Sequence, residues 1–208
     1  MKICLYDSGI GVIPFLKVIL RKKIYNDYYL YIDDNNFPYG DKSDEELLKI
    51  LKKVINYVED NNFDYLFICC NTISRIFLNN QIESKVRVKT ILEENIKDNK
   101  EFKLLCTPNL SNNINNSING NNLAKYITDN NLYKIIEFIN CIKKEKIILG
   151  CTHYHLIKDL LDVYKISYLS LEDQIFNDIE TSKELNIYVK EKDYLQIKKY
   201  IKVGIKIY

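Results

Sequence analysis

The chain has 208 residues, 47% of them hydrophobic and 28% charged, the proportions of an ordinary folded protein with material for a substantial core. Its net charge is +2, with Lys and Arg interleaved among Asp and Glu, so electrostatics gives no case for a nucleic-acid partner. Nor is there a membrane case: the apolar runs are short, and Met1-Lys2-Ile3-Cys4-Leu5-Tyr6-Asp7 meets a charge too early for a signal peptide.

In chain order, residues 2–6 read as a short apolar strand, followed by the loop Asp7-Ser8-Gly9-Ile10-Gly11. Residues 12–22 then have helical spacing, with Pro14 early enough to be tolerated. Residues 28–32 form a second strand and 33–41 a polar turn. Ser43 and Glu46 form a possible capping box, opening a helix whose buried face carries Leu47, Leu48, Leu51, Ile55 and Val58. A third strand at 65–69 leads into a helix at 71–78. Further strands are expected at 86–91, 103–106 and 146–149, with helices at 122–142 and 153–164. Residues 109–122 are rich in Asn and Ser and predict a loop or a helix of poor propensity. Strands alternating with helices argue for an α/β fold with parallel sheets, whose ligands bind at the carboxyl ends of the strands.

Six cysteines are even in number, but they do not read as a disulfide framework. Cys4, Cys69, Cys70 and Cys106 lie in or beside strand-like runs and Cys141 on a helix, so a reduced, cytoplasmic protein is the expectation. With only His153 and His155 and no Cys-x-x-Cys, no metal is expected.

Two cysteines occupy matching places. Cys70 ends one apolar run and precedes Asn71-Thr72; Cys151 ends another and precedes Thr152-His153. A thiol at a helix N-terminus feels the positive end of the helix dipole, which favours the thiolate. Two such thiols in two similar units suggest two bases facing one substrate across a cleft. Taken singly, a strand-end cysteine is more often inert core, which is how Cys69 reads, since it points away from Cys70 in an alternating strand. Asp7 equally suits a role satisfying the N–H groups of its turn, and Tyr39 in Pro38-Tyr39-Gly40 suits an ordinary turn. His153 beside Cys151 suits thiolate stabilisation or proton relay, whereas His155 is expected to face elsewhere. The loop after Asp7 lacks a complete nucleotide-binding pattern.

Together Asp7-Ser8-Gly9-Ile10-Gly11, Pro38-Tyr39-Gly40, Cys70-Asn71-Thr72 and Leu149-Gly150-Cys151-Thr152-His153-Tyr154 resemble the glutamate racemase family of the wider aspartate/glutamate racemase group. The resemblance covers most of residues 1–93 and, beyond them, mainly Thr107 and Cys151. It implies cofactor-independent interconversion of L- and D-glutamate, supplying D-glutamate for peptidoglycan. The implied catalytic residues are Cys70 and Cys151, assisted by Asp7 and His153. Ser8, Pro38, Tyr39, Gly40, Asn71, Thr72, Thr107 and Thr152 match positions that hold the substrate. It further implies two pseudo-symmetric lobes, each a mainly parallel sheet flanked by helices, with the active site between them. Residues 1–92 with 173–208 are expected to form the first lobe and 93–172 a shortened second one. Family members are often dimers, so a homodimer is the implied assembly, though nothing in the chain selects an interface.

The chain departs from the family pattern at Val12, Ile73 and His155, where glycine, alanine and proline are usual, and at Leu110, where a second carboxylate-binding threonine is usual. The second lobe's acidic assistant has no assigned counterpart, and Asp173 stands near the family's acidic position where the chain returns. Two other readings remain: a racemase or isomerase acting on aspartate or another small acid, and a catalytically weakened relative that binds an amino acid or a partner protein. Exchange of the Cα proton separates enzyme from binder.

Overall fold

The structure is a computed structural model that describes residues 1–96 and 101–208. In chain order its elements are β1 (Lys2–Asp7), α1 (Ile13–Lys22), β2 (Asp27–Ile32), α2 (Asp44–Asp60), β3 (Tyr65–Ile68), α3 (Asn71–Asn79), β4 (Arg87–Thr90) and α4 (Ile91–Ile96). They continue with β5 (Lys103–Cys106), α5 (Pro108–Ser111), β6 (Ser117–Asn119), α6 (Leu123–Thr128), α7 (Leu132–Cys141), β7 (Lys146–Leu149) and α8 (Lys158–Val163). β8 (Ser167–Leu169), β9 (Asn186–Val189), α9 (Glu191–Lys198) and β10 (Ile205–Ile207) complete the chain.

The strands build two sheets, β10-β9-β2-β1-β3-β4 and β6-β5-β7-β8, and every pairing within them is parallel. Parallel strands need crossovers, and the helices that supply them cover the sheet faces. Alternation along β1 shows the division: Ile3 and Leu5 pack in the cluster with Phe15, Leu16 and Ile19 of α1, while Cys4 and Tyr6 pack with Leu47, Leu51 and Val54 of α2 and Ile73 of α3. In the smaller sheet Ile147 and Leu149 pack with α6 and α7, while Ile148 joins Leu104 and Cys106 on the other face. The two sheets share a frame. β2-β1-β3-β4 and β6-β5-β7-β8 have the same order, each with the strand that leads to Cys70 or Cys151, β3 or β7, in the interior.

α2 begins as its sequence predicts, with the Ser43 hydroxyl accepting from the Glu46 N–H at 3.3 Å and the Glu46 carboxylate accepting from the Ser43 N–H at 2.9 Å. The expected helix at 122–142 is instead two, α6 and α7. Asn130 turns the chain at φ 52°, a conformation asparagine tolerates, and the Asn131 side chain caps α7 at the Lys134 N–H. The Asn-rich 109–122 stretch contains α5 and the edge strand β6, stitched by a Ser111–Ser117 hydroxyl bond of 2.9 Å. Residues 153–164 are not one helix: a 3-10 run, Thr152–Ile157, precedes α8. Residue 91 opens α4 rather than closing β4. Beyond residue 164 the pattern predicts no element, because β8 and β10 are three residues long and α9 is largely polar.

Candidate active site

β1, β3, β5 and β7 all point their carboxyl ends at one place between the sheets. β1 ends at Asp7, β3 runs into Cys70, β5 into Thr107 and β7 into Gly150-Cys151. Continuing the strand register past Tyr6↔Ile68 sets Ser8 opposite Cys70; continuing it past Leu105↔Leu149 sets Thr107 opposite Cys151. Each thiol thus has a hydroxyl residue beside it, and the Ser8 hydroxyl lies 3.9 Å from the Cys70 sulfur. At Gly150 a Cβ would stand 2.5 Å from the Leu104 side chain and 2.9 Å from the Leu105 carbonyl oxygen, so glycine lets β7 turn into Cys151 against β5.

A single cavity is lined by Ser8, Pro38, Tyr39, Gly40, Cys70, Asn71, Thr72, Thr107, Thr152, Cys151 and His153, together with Phe37, Ala124 and Gly150. Of the residues singled out in the sequence, Asp7 alone is not on its wall. It lies directly behind, fully buried, and reaches the site through Thr152. The cavity is small, about 300 Å³ including the part open to solvent. No carboxylate lines it among the described residues.

Polar contacts between the two sheets' segments surround the cavity. The Thr152 hydroxyl donates to one Asp7 oxygen at 3.0 Å, and the other oxygen accepts the Gly9 N–H at 3.0 Å. Thr72 and Thr107 share a hydroxyl bond of 2.8 Å. The buried Arg75 of α3 pairs with Asp44 and donates to the Asn109 side chain at 2.7 Å. Gly11 is wedged behind this set: a Cβ there would stand 2.0 Å from the Thr152 hydroxyl and 2.7 Å from Asp7.

Burial dominates the electrostatics. Cys70 heads α3 as its sequence predicts, and N–H groups of Ile73 and Thr72 and the Ser8 hydroxyl favour its thiolate. Burial, joined by the Asp7 charge, outweighs them and pushes the thiol up to about 12. Burial, followed by the effect of Cys70, also raises Cys151 well above an ordinary thiol, with the His153 N–H opposing them. Burial thus opposes the thiolate that the helix N-terminus at Cys70 favours. Cys151 does not head an α-helix at all, and the six-residue 3-10 run after it has no comparable dipole. Burial also lifts Asp7 to about 7 against its bonds from Gly9, Thr152 and Ser8, and lowers His153 to about 4. The His153 ring lies 4.9 Å from that of Phe37, and its buried Nε2 has no hydrogen-bond partner among the described residues.

Several features were not legible in the chain. The Tyr39 hydroxyl turns away from a substrate role: it donates to Asp33 at 2.6 Å and meets the Tyr6 hydroxyl at 2.5 Å, so Tyr39 offers the cavity its ring and backbone. Asp173 is paired with Lys22 at 2.9 Å and is not on the cavity wall. Glu172 is instead the buried acid, pairing with Lys158 and His155 behind the 3-10 run. Phe37 and Ala124 reach the cavity from segments whose sequence carries no distinguishing pattern.

No family model matches the chain. Among curated relatives it is 29% identical over 186 residues to glutamate racemase 3 of Caldanaerobacter subterraneus, covering 76% of this chain and 68% of the relative. It is 25% identical to the glutamate racemase of Halothermothrix orenii, covering 98% of both. Among solved structures, a glutamate racemase isoform of Bacillus anthracis superposes with a TM-score of 0.79 at 16% identity, covering 100% of this chain and 96% of that one. The glutamate racemase of Francisella tularensis in complex with D-glutamate gives 0.78 at 20% identity, covering 99% and 95%. The fold is that of these structures, and no helix among the described residues is long and apolar enough to cross a membrane. The chain is a distant, glutamate racemase-like member of the aspartate/glutamate racemase superfamily.

Proposed function

We propose that the protein is a cofactor-independent racemase that interconverts L- and D-glutamate with Cys70 and Cys151 as its two bases. The observation that carries this is the position of the thiols: each follows an interior strand of a different sheet, and both line one cavity. A Cα proton beside a carboxylate is weakly acidic, so its removal needs a dry site, oriented donors and a base held against the carbon. Hydroxyl and amide groups of Ser8, Asn71, Thr72, Thr107 and Thr152 supply donors for the substrate carboxylates, and closing the threonine pair onto a substrate replaces the Thr72–Thr107 bond. Burial favours the protonated form of both thiols. The ammonium group of an arriving amino acid brings the positive charge that a thiolate needs. One sulfur then takes the Cα proton while the other, as a thiol, donates to the opposite face. For the reverse direction the roles exchange. Asp7, lifted to about 7, and His153, held neutral, are the groups that accept and return the thiol protons on their respective sides. Residues 1–92 with 173–208 and residues 93–172 are the two lobes of this reading, and production of D-glutamate for peptidoglycan is the role that follows from it.

Incubating the reduced protein with L-glutamate and resolving the products by chiral chromatography tests the proposal. Formation of D-glutamate toward an equal mixture is expected, and its absence with a folded protein would refute glutamate as substrate. The small free space in the cavity favours a second reading, a racemase of aspartate or another shorter acid. L-aspartate in the same assay distinguishes the two.

A further inference from the structure

We propose that His155 is a positioning residue for Cys151, fixing the turn between β7 and the 3-10 run so that this thiol points into the cavity. Its consequence for turnover rests on the two-thiol reading above; the positioning itself does not. His155 is 6% exposed and sits four residues beyond Cys151, on the side of the 3-10 run away from the cavity lining. Its Nε2 lies 3.2 Å from the carbonyl oxygen of Leu149, the last residue of β7. A carbonyl only accepts, so Nε2 carries the hydrogen and the tautomer is fixed. That bond closes a loop around Gly150-Cys151, the segment through which β7 delivers the thiol.

The other ring nitrogen is anchored as firmly. Nδ1 lies 3.0 Å from the Ser170 hydroxyl and 3.1 Å from a Glu172 carboxylate oxygen, and Lys158 holds the second Glu172 oxygen at 2.5 Å. As neutral imidazole, Nδ1 accepts from Ser170; as imidazolium, it donates to Glu172. In both states Nε2–H stays on Leu149, so the tie does not depend on the charge of the ring. The need for such a tie comes from the element itself. Runs of 3-10 structure longer than three or four residues are uncommon, because their hydrogen bonds are poorly aligned, and this one spans six. Behind Cys70 the matching place is held by Ser74, whose hydroxyl lies 3.2 Å from the carbonyl oxygen of Ile68 at the end of β3, and α3 adds regular helical bonds of its own.

His155→Asn and His155→Gln separate the tie from general packing. The glutamine amide reaches the Leu149 carbonyl; the shorter asparagine amide reaches only the Nδ1 side. The readout is alkylation of native protein by iodoacetamide, with Cys151 and Cys70 quantified separately by peptide mass spectrometry. His155→Asn is expected to shift the Cys151-to-Cys70 rate ratio by about fivefold or more, since a displaced thiol changes both exposure and thiolate fraction. His155→Gln is expected to restore it to within about twofold. In the racemase assay His155→Asn should lower kcat by about 10²-fold while KM changes little, as for misplacement of a reacting group. Equal ratios in the two variants, or equal changes at both cysteines, would overturn the proposal. A wild-type protein without racemase activity would refute the functional reading and leave the alkylation ratio to decide this one.

Discussion

In the first half-site Cys70 follows β3 and heads the nine-residue helix α3; in the second, Cys151 follows β7 and heads a 3-10 run. Superposing the two frames on their cysteines pairs Ser8 with Thr107, Asn71 with Thr152 and Thr72 with His153, and sets Cys106 where the first half-site has Asp7. Only the Ser8 and Thr107 hydroxyls are matched; Thr72 and Thr152 have no hydroxyl counterpart, and the titratable groups differ. The first side carries a buried carboxylate lifted to about 7, the second a buried imidazole lowered to about 4. A repeated frame thus supplies two thiols on opposite sides, while single substitutions within it give each thiol a different proton partner. The connection between sides is equally unsymmetrical, because Thr152 of the second frame donates to Asp7 of the first.

The largest effect expected is loss of either thiol. Cys70→Ala and Cys151→Ala should each reduce racemisation by about 10³-fold or more, the scale of a positioned general base or acid. Near-normal turnover in one of them would show that its half-site is a spectator.

Gly11→Ala tests the contact between the sides. Its Cβ would fall 2.0 Å from the Thr152 hydroxyl, so the buried Asp7–Thr152 pair must move. A loss of about 3 kcal/mol in urea unfolding is expected, at the upper end for overpacking. An unchanged midpoint would mean that the two sides are not held by this pair.

The opposite charge logic of the half-sites predicts opposite pH dependences. Asp7 rises from 3.8 unfolded to about 7 folded, so ionising it costs the folded state stability progressively between these values, and the full cost persists above pH 7. Asp7→Asn should therefore stabilise the protein by about 2–3 kcal/mol more at pH 8 than at pH 5, while removing activity. His153 falls from 6.5 unfolded to about 4 folded, so the unfolded chain binds the proton first and stability is lost as pH drops through that window. His153→Gln should recover roughly 2 kcal/mol at pH 4.5 relative to pH 7. Thermal melts across pH measure both, and slopes of the same sign would contradict the assignment.

The smallest effect is in the thiols themselves. Cys70 has two backbone N–H groups and a hydroxyl favouring its thiolate where Cys151 has one N–H, so Cys70 should be alkylated several-fold faster in wild-type protein. Equal rates would remove the distinction between a helical and a 3-10 support.

The frame and the cavity wall were legible in the chain because both follow local rules. Apolar runs such as Tyr65–Ile68 and Lys146–Leu149 mark interior parallel strands, and the polar residues after them fall at carboxyl ends that topology gathers together. The charge states were not legible. The N-terminal dipole at Cys70 is a local property, but the burial that overrides it comes from tertiary packing, with Cys70 in the cluster that holds Tyr6, Tyr39 and Ile73. The break at Asn130 and the 3-10 run after Cys151 were missed because apolar spacing continues through both, although the first is a local left-handed turn closed by the Asn131 N–H on the Tyr126 carbonyl. Glu172 was passed over for its neighbour Asp173, since only the fold shows which of two adjacent acids turns inward.

Deuterium labelling during racemisation tests the central claim, two bases on opposite faces of one carbon. With L-glutamate in D2O and samples taken at low conversion, the account predicts deuterium at Cα in the newly formed D-glutamate while recovered L-glutamate keeps its proton. Deuterium entering recovered L-glutamate as fast as D-glutamate forms would contradict it, since one base would then be exchanging and returning the proton on a single face.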